Sequence, residues 1–502
     1  MSSVGVPETD RRGHVPDWVI LAIACLAQFM VVLDVTVVTV ALPSIGRDLR
    51  YSASGLQWVV NAYVLTFAGF LLLGGRAADV FGRRRAYLAG LGLFSLASLA
   101  GGLATTSAWL TAARAAQGVG GAVLSTATLT IIVTTFTDER RARALGVWSA
   151  VAGAGGAGGS ILGGVLTSGL SWRAVLFINV PIGLAAGGAA FAWLGQPARA
   201  AASTQKRPRL DVAGAVTVTA GLGALIYAVV GTSTHPWGST RTLALLGVAL
   251  VLLAAFALFE LRLARSPLLR FGLFRSRSVS AANGVMLLIG AIFFSMWYFL
   301  SLYLQNVLGY GPLKAGLAFV PMGVAIIIGA QTSGRLIPRT GVRPVLTAGT
   351  LLATGGFAWL STIAPHVSYS LHVLGPGCVI ALALGLLFTP LAAAATAGVA
   401  PREAGLASGV LNTSRQVGGS LGLAVLATIA TSRFHAAAHH GLSMPTALAD
   451  GYSRAFEVAA GLALAAFVTS LVVPTHPATT APSIGSKPRE SPVTSPDRGE
   501  RT

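Results

Sequence analysis

Asp34 stands in the run "VVLDVTVVTVALP" (residues 31–43), inside a stretch from Trp18 to Leu42 that carries no other charge. A carboxylate at mid-bilayer costs about 3 kcal/mol or more, so an acid kept there is a functional residue by default. Its natural counter-charge is Arg114, at the start of another apolar run. Asp34 lies sixteen residues beyond Trp18, roughly 24 Å of helix at 1.5 Å per residue. Arg114 lies roughly 8 Å into a run that travels the other way. In a hydrocarbon core about 30 Å thick the two reach similar depth. A guanidinium neighbour favours the ionised carboxylate, whereas burial disfavours it. A pair that opens and closes therefore takes up and releases a proton. A pair that stays shut only fixes helix packing.

A second constellation is "GRAADVFGRRR" (75–85), with Gly75, Asp79, Gly82 and the cluster Arg83, Arg84 and Arg85. Basic residues at a cytoplasmic span end need no further reason, but an acid set among glycines does. A third is Gly146, Gly155, Gly159, Gly163 and Gly164, at offsets of nine, four, four and one. Gly155, Gly159 and Gly163 share one helix face, so a neighbouring helix can approach backbone to backbone. Asn61, Tyr63, Gln305, Asn412, Arg415 and Gln416 are polar or cationic groups inside apolar runs, and Trp297 and Tyr298 stand among Phe293, Phe294 and Tyr303. These are the candidates for lining a substrate cavity. Cys25 and Cys378 sit in apolar runs as small packed residues. His435, His439 and His440 lie in a loop whose nearest acid is Asp450, which predicts no metal site. The phosphate-binding glycine loop with its lysine is missing, and "GAGGAGG" (153–159) lies inside a span. No enzyme and no cofactor is expected beyond protons as coupling ion.

The elements that must hold these residues are helices in lipid. Of 502 residues 54% are hydrophobic and 10% charged, with a mean hydropathy of +0.73; a soluble domain is about 25% charged. The net charge of +19 does not point to nucleic acid, because the basic residues fall between apolar runs instead of forming one stripe. Only three of the 35 basic residues are lysine, as in chains from GC-rich bacterial genomes. With about 20 apolar residues per crossing, fourteen spans are read: 18–42, 56–75, 86–104, 109–136, 144–168, 174–195, 212–231, 242–261, 279–304, 315–333, 344–363, 371–397, 405–431 and 455–474. The first is too long for a signal-peptide core and is a retained helix. Alternate connections hold 26 basic residues against 7, with Arg114 and Arg415 inside spans. Positive charge stays inside, which places both termini in the cytoplasm. Trp58, Trp109, Trp172 and Trp237 fall at outer span ends.

"GRLIPRTGVRP" (334–344) echoes "GRAADVFGRRR": Gly75, Arg76, Gly82 and Arg84 align with Gly334, Arg335, Gly341 and Arg343. Each joins the second and third helices of a six-helix set. The fold class is therefore an all-α membrane protein of two six-helix bundles plus two inserted helices, with the substrate site between the halves. The expected division is a cytoplasmic N-terminus (1–17), a first bundle (18–195), a linker with spans 7 and 8 (196–278), a second bundle (279–474) and a Pro/Ser/Thr-rich disordered tail (475–502).

With "LDVTVVTVALP", "GRAADVFGRRR", "RAAQGVGGA" (114–122), "WRAVLFINVPIG" (172–183), "LYLQNVLGYGPLKAGLAFVP" (302–321) and "ASGVLNTSRQVGGSLG" (407–422) in order, the chain resembles the major facilitator superfamily. Within it the chain looks like the fourteen-helix drug:proton antiporters, over about residues 15–475. The glycine series matches that branch's fifth-helix pattern, except that Ser160 stands where the family usually has proline. The resemblance implies export of a small-molecule drug or antibiotic across a bacterial cytoplasmic membrane, by a functional monomer in the lipid bilayer. It implies proton or cation coupling at Asp34 with Arg114, and a loop at 75–85 that latches the halves. Pro338 replaces the acid in the second copy of that loop. Spans 9–12 contain no Asp or Glu, which favours neutral or weakly charged substrates over dications. The alternative is a proton-coupled symporter taking up a small metabolite, which the glycine series disfavours. Spans 7 and 8 are expected beside the core, with Glu260 in a surface ion pair.

Overall fold

Long apolar runs in lipid must satisfy their backbone internally, and they do so as helices. The computed structural model describes residues 16–194, 211–232, 235–263, 271–399 and 404–474. The side chains of some positions within these stretches, Arg76 and Asp79 among them, fall outside that description. The first half comprises α1 (Asp17–Asp48), α2 (Trp58–Phe81), α3 (Arg83–Gly102), α4 (Ser107–Thr135), α5 (Asp138–Gly169) and α6 (Ala174–Trp193). The inserted pair is α7 (Val212–Gly231) and α8 (Thr240–Leu258). The second half comprises α9 (Arg277–Leu302), α10 (Pro312–Thr340), α11 (Val342–Leu360), α12 (Gly375–Thr396), α13 (Ala404–His439) and α14 (Met444–Ser470).

Among the described residues, ten helices are long and apolar enough to cross a membrane. Of the other four, α2 has an apolar described stretch, Trp58–Leu71, and α3, α5 and α11 carry arginines near an end and several glycines, which dilute their hydropathy. The expected segments match these helices closely, save the last, which begins at Met444 instead of 455. The expected tail and most of the stretch between α6 and α7 lie outside the described residues.

The sequence echo is structural. In the first half α1 packs on α5, α2 and α3 on α4, and α3 on α6; in the second α9 packs on α13, α10 and α11 on α12, and α11 on α14. Gly82 and Gly341 join the second helix to the third in each half, both at φ +87°. That left-handed region costs glycine nothing.

The near face, where α1 begins and Gly82 turns, is opposed by a far face, where the halves are hydrogen-bonded. Ser301 donates to the Thr39 carbonyl at 2.7 Å and Gln305 to the Val40 carbonyl at 2.9 Å. The Leu313 amide donates to the Ser168 hydroxyl at 3.2 Å.

The inserted pair differs from expectation. α7 is wedged between α2 of one half and α13 of the other, while α8 packs chiefly on α7. Thr428 of α13 donates to the Val229 carbonyl of α7 at 3.3 Å, and α2 meets α7 where Gly69 faces Thr219 with no room for a Cβ. Toward the near face this seam holds an apolar cavity of 160 Å³, lined by Gly69, Val218, Leu222, Leu287 and Val417 among others. α7 thus lines a crevice between the halves instead of lying beside them. Glu260, expected at the surface, is only 5% exposed and lies in a π-helical segment, Phe259–Leu263, that continues α8.

Candidate functional site

Asp34 and Arg114 meet as their depths predict. Arg114 Nη1 lies 2.5 Å from Asp34 Oδ2, with the two side chains 2% and 0% exposed. The carboxylate is held by more than its counter-ion. Gln117 Nε2 and Asn179 Nδ2 each donate to Asp34 Oδ1 at 2.8 Å. Arg114 also donates from Nη1 to Gln117 Oε1 at 2.6 Å and from Nε to the Val59 carbonyl at 3.1 Å. Asn179 is fixed in turn by Ser98 Oγ at 3.0 Å, and Ser98 donates to the Leu176 carbonyl at 2.8 Å. The Tyr63 ring lies 4.4 Å from the guanidinium carbon, and a cation over an aromatic face is favourable when water is excluded. A buried charge pair is retained where its remaining donors and acceptors are met, and these partners from α2, α3, α4 and α6 meet them.

Local sequence explains the assembly. Gln117 follows Arg114 by three positions and so shares its face of α4. Asn179 opens the main segment of α6, Asn179–Trp193, just after Ile178, whose backbone stays helical. Gln117, Asn179 and Ser98 were not among the sequence candidates. The i, i+3 offset from Arg114 signals the first, and a lone amide within "VLFINVPIG" signals the second. A serine in an apolar helix gives no signal.

The glycine face sits behind the pair. A Cβ at Gly155 would approach Phe29, one at Gly159 would meet Thr36, and one at Gly163 would lie 2.8 Å from the Val37 Cα. These three positions let the α5 backbone lie against α1 on either side of Asp34, and Thr36 Oγ1 donates to the Gly155 carbonyl at 3.3 Å. Gly164 faces elsewhere, onto Pro312 and Leu313 of the other half, and across the same contact a Cβ at Gly316 would collide with the Ser160 carbonyl. Gly146 has no neighbour within 4 Å of a Cβ position.

The arginines after Gly82 bond within their own half. Arg83 donates to Thr134 Oγ1. Arg84 donates to the Phe191 carbonyl at 2.7 Å and stacks on the Phe191 ring. The expected latch thus does not bridge the halves through these two groups in this conformation, and the Asp79 side chain lies outside the described residues. Gly75 has open space around it.

The cavity candidates divide. Asn61 is fully buried and donates to Gln57 Oε1 at 3.4 Å. Tyr63 serves the charge pair, and Tyr298 is buried against Phe299 inside the second half. All three side chains are buried within their own bundle. Gln305 belongs to the far-face closure. Gln416 is buried, with Oε1 unpartnered among the described residues. Trp297, Asn412 and Arg415 are partly exposed. In the loop after α1, burial pushes the Tyr51 phenol up, so it stays protonated and donates to the Ser107 carbonyl at 2.6 Å.

Residues 24–423 match the family model described as Major Facilitator Superfamily. The chain is 45% identical to the cephamycin export protein CmcT of Amycolatopsis lactamdurans, over 92% of this chain and 94% of that protein. It is 40% identical to the puromycin resistance protein pur8 of Streptomyces alboniger, over 94% of each. Among solved structures, a bacterial homologue of the human lysosomal transporter Spinster superposes with a TM-score of 0.64 at 16% identity, covering 90% of this chain and 96% of that one.

Proposed function

The chain belongs to the major facilitator superfamily, and from that premise we propose that it exports a small-molecule drug or antibiotic by proton antiport, conferring resistance on its host. Relatives named for antibiotic export and resistance support the substrate class. The observation that carries the coupling mechanism is the dry pair of Asp34 and Arg114 with its amide donors. In this conformation Arg114 is the counter-ion of the carboxylate. Rocking of the halves that draws Arg114 away opens that position to a proton. Return of Arg114 expels the proton. One acid thus converts a proton gradient into a cycle of two conformations.

In this reading, residues 18–195 and 279–474 are the two moving halves, 196–278 link them, and the near face is cytoplasmic. The far-face bonds then make this the state closed to the outside, and the protein works as a monomer. The test is a susceptibility panel in an efflux-deficient bacterial host, followed by uptake into everted membrane vesicles. An imposed gradient, acid inside, drives accumulation of a compound the panel identifies. Protection from no compound, or accumulation indifferent to the gradient, overturns the reading.

A further inference from the structure

Arg415 is the second cation inside a span, and its setting is the reverse of that of Arg114. It lies partly exposed on α13. Its contacts among the described residues are Asn412 Oδ1, which accepts from Nη2 at 2.8 Å, and the Phe388 ring, 5.8 Å from the guanidinium carbon. A guanidinium has five N–H donors in a planar fork, and only one is engaged by these contacts. Among the described residues Arg415 is in no salt bridge, and the sequence from 261 to 402 holds no Asp or Glu. An uncompensated cation at membrane depth points to a functional site.

Its surroundings say what it meets. Phe388 stands edge-on to Phe293 at 6.1 Å, Phe293 lies 6.4 Å from Trp297, and Trp297 lies 5.0 Å from Phe319. Phe293, Trp297 and Ser301 recur every four residues, on one face of α9. Ser301 bonds the Thr39 carbonyl of the opposite half, so this face is turned toward the other bundle. Phe293, Trp297 and Phe388 are each partly exposed. An aromatic wall therefore runs from the far-face closure to a guanidinium with free donors, and Asn412 holds that guanidinium from the side.

We propose that Arg415, positioned by Asn412, anchors a carboxylate or similar oxyanion of the exported molecule, whose aromatic or apolar body lies along Phe388, Phe293 and Trp297. This rests on the exporter reading and narrows it to organic acids. The fork geometry suits two parallel bonds to a carboxylate, and the ring faces tolerate varied bodies.

The test is equilibrium dialysis of the purified full chain in detergent with rhodamine 110, which carries a free benzoate, and rhodamine 123, its methyl ester. The wild type is expected to bind the acid about tenfold more tightly than the ester. R415Q is expected to erase that preference while keeping ester affinity within about twofold, which also reports that the variant is folded; R415K keeps part of the preference. A measurement independent of variants is competition: benzoate displaces rhodamine 110 from the wild type and benzamide does not. Equal binding of the two dyes, binding of neither, equal weakening of both by R415Q, or equal displacement by benzoate and benzamide would each overturn the proposal. The two readings fail separately. Protection on the susceptibility panel without acid preference sinks only the anion site. Acid-selective binding in a chain that protects from nothing sinks the exporter reading and keeps the site.

Discussion

The Asp34 carboxylate accepts from three side chains on two helices, and each bond is made to the ionised form. In the proposed mechanism, coupling would therefore belong to the cluster and not to the acid alone. Asp34→Asn is expected to abolish gradient-driven accumulation in everted vesicles while leaving drug binding within several-fold of wild type. Removing one member of a buried ion pair costs about 3–5 kcal/mol, so the variant should also melt earlier. Wild-type accumulation by Asp34→Asn would remove the residue from coupling. Asn179→Ala deletes one donor to a charged acceptor, worth about 1.5–3 kcal/mol. It is expected to slow export about tenfold without loss of insertion, read as initial rates at matched protein level. The two charges were legible in the sequence because a charge in an apolar run is expensive and so conspicuous. Gln117 and Asn179 left only weak marks, an i, i+3 offset and a lone amide, because a neutral polar side chain in a membrane helix is cheap and finds many partners.

Helices and their junctions show a similar division. Span positions followed from hydropathy, and the repeat followed from glycine spacing. Gly82 and Gly341 were aligned by sequence, and their shared dihedral gives the alignment its physical reason. Which neighbour the glycine face would meet was not legible, since spacing gives a face but not its partner. That partner is α1 at Phe29–Val37. Gly163→Val would drive two methyls into the Val37 backbone. Overpacking of this kind costs about 1–3 kcal/mol, so lower yield and a lower melting temperature are expected, with resistance falling in step. Gly146→Val, at a position with open space, serves as the control and should change neither. The wedge position of α7 was likewise beyond the sequence, because an apolar helix outside the repeat carries no mark of what it packs on.

For the whole molecule, the far face is closed by contacts between α1 and α9 and between α5 and α10. Which conformation the chain adopts cannot be read from composition, since the same apolar faces serve both states. Because Ser168 and Leu313 touch across that closure, the double variant Ser168→Cys, Leu313→Cys is expected to stop export on oxidation and recover it on reduction. Export unaffected by a disulfide verified on the gel would mean that the far face need not part.

Among the described residues α8 packs chiefly on α7, and α7 touches both halves. In mechanical terms α8 is an outrigger in the lipid, with Leu243, Val248, Leu250 and Val251 turned outward. A bilayer thicker or thinner than its apolar length changes its tilt, and α7 is its chief strut for passing that torque. Stress in the surrounding lipid is thus delivered at the seam where the two halves must slide past each other.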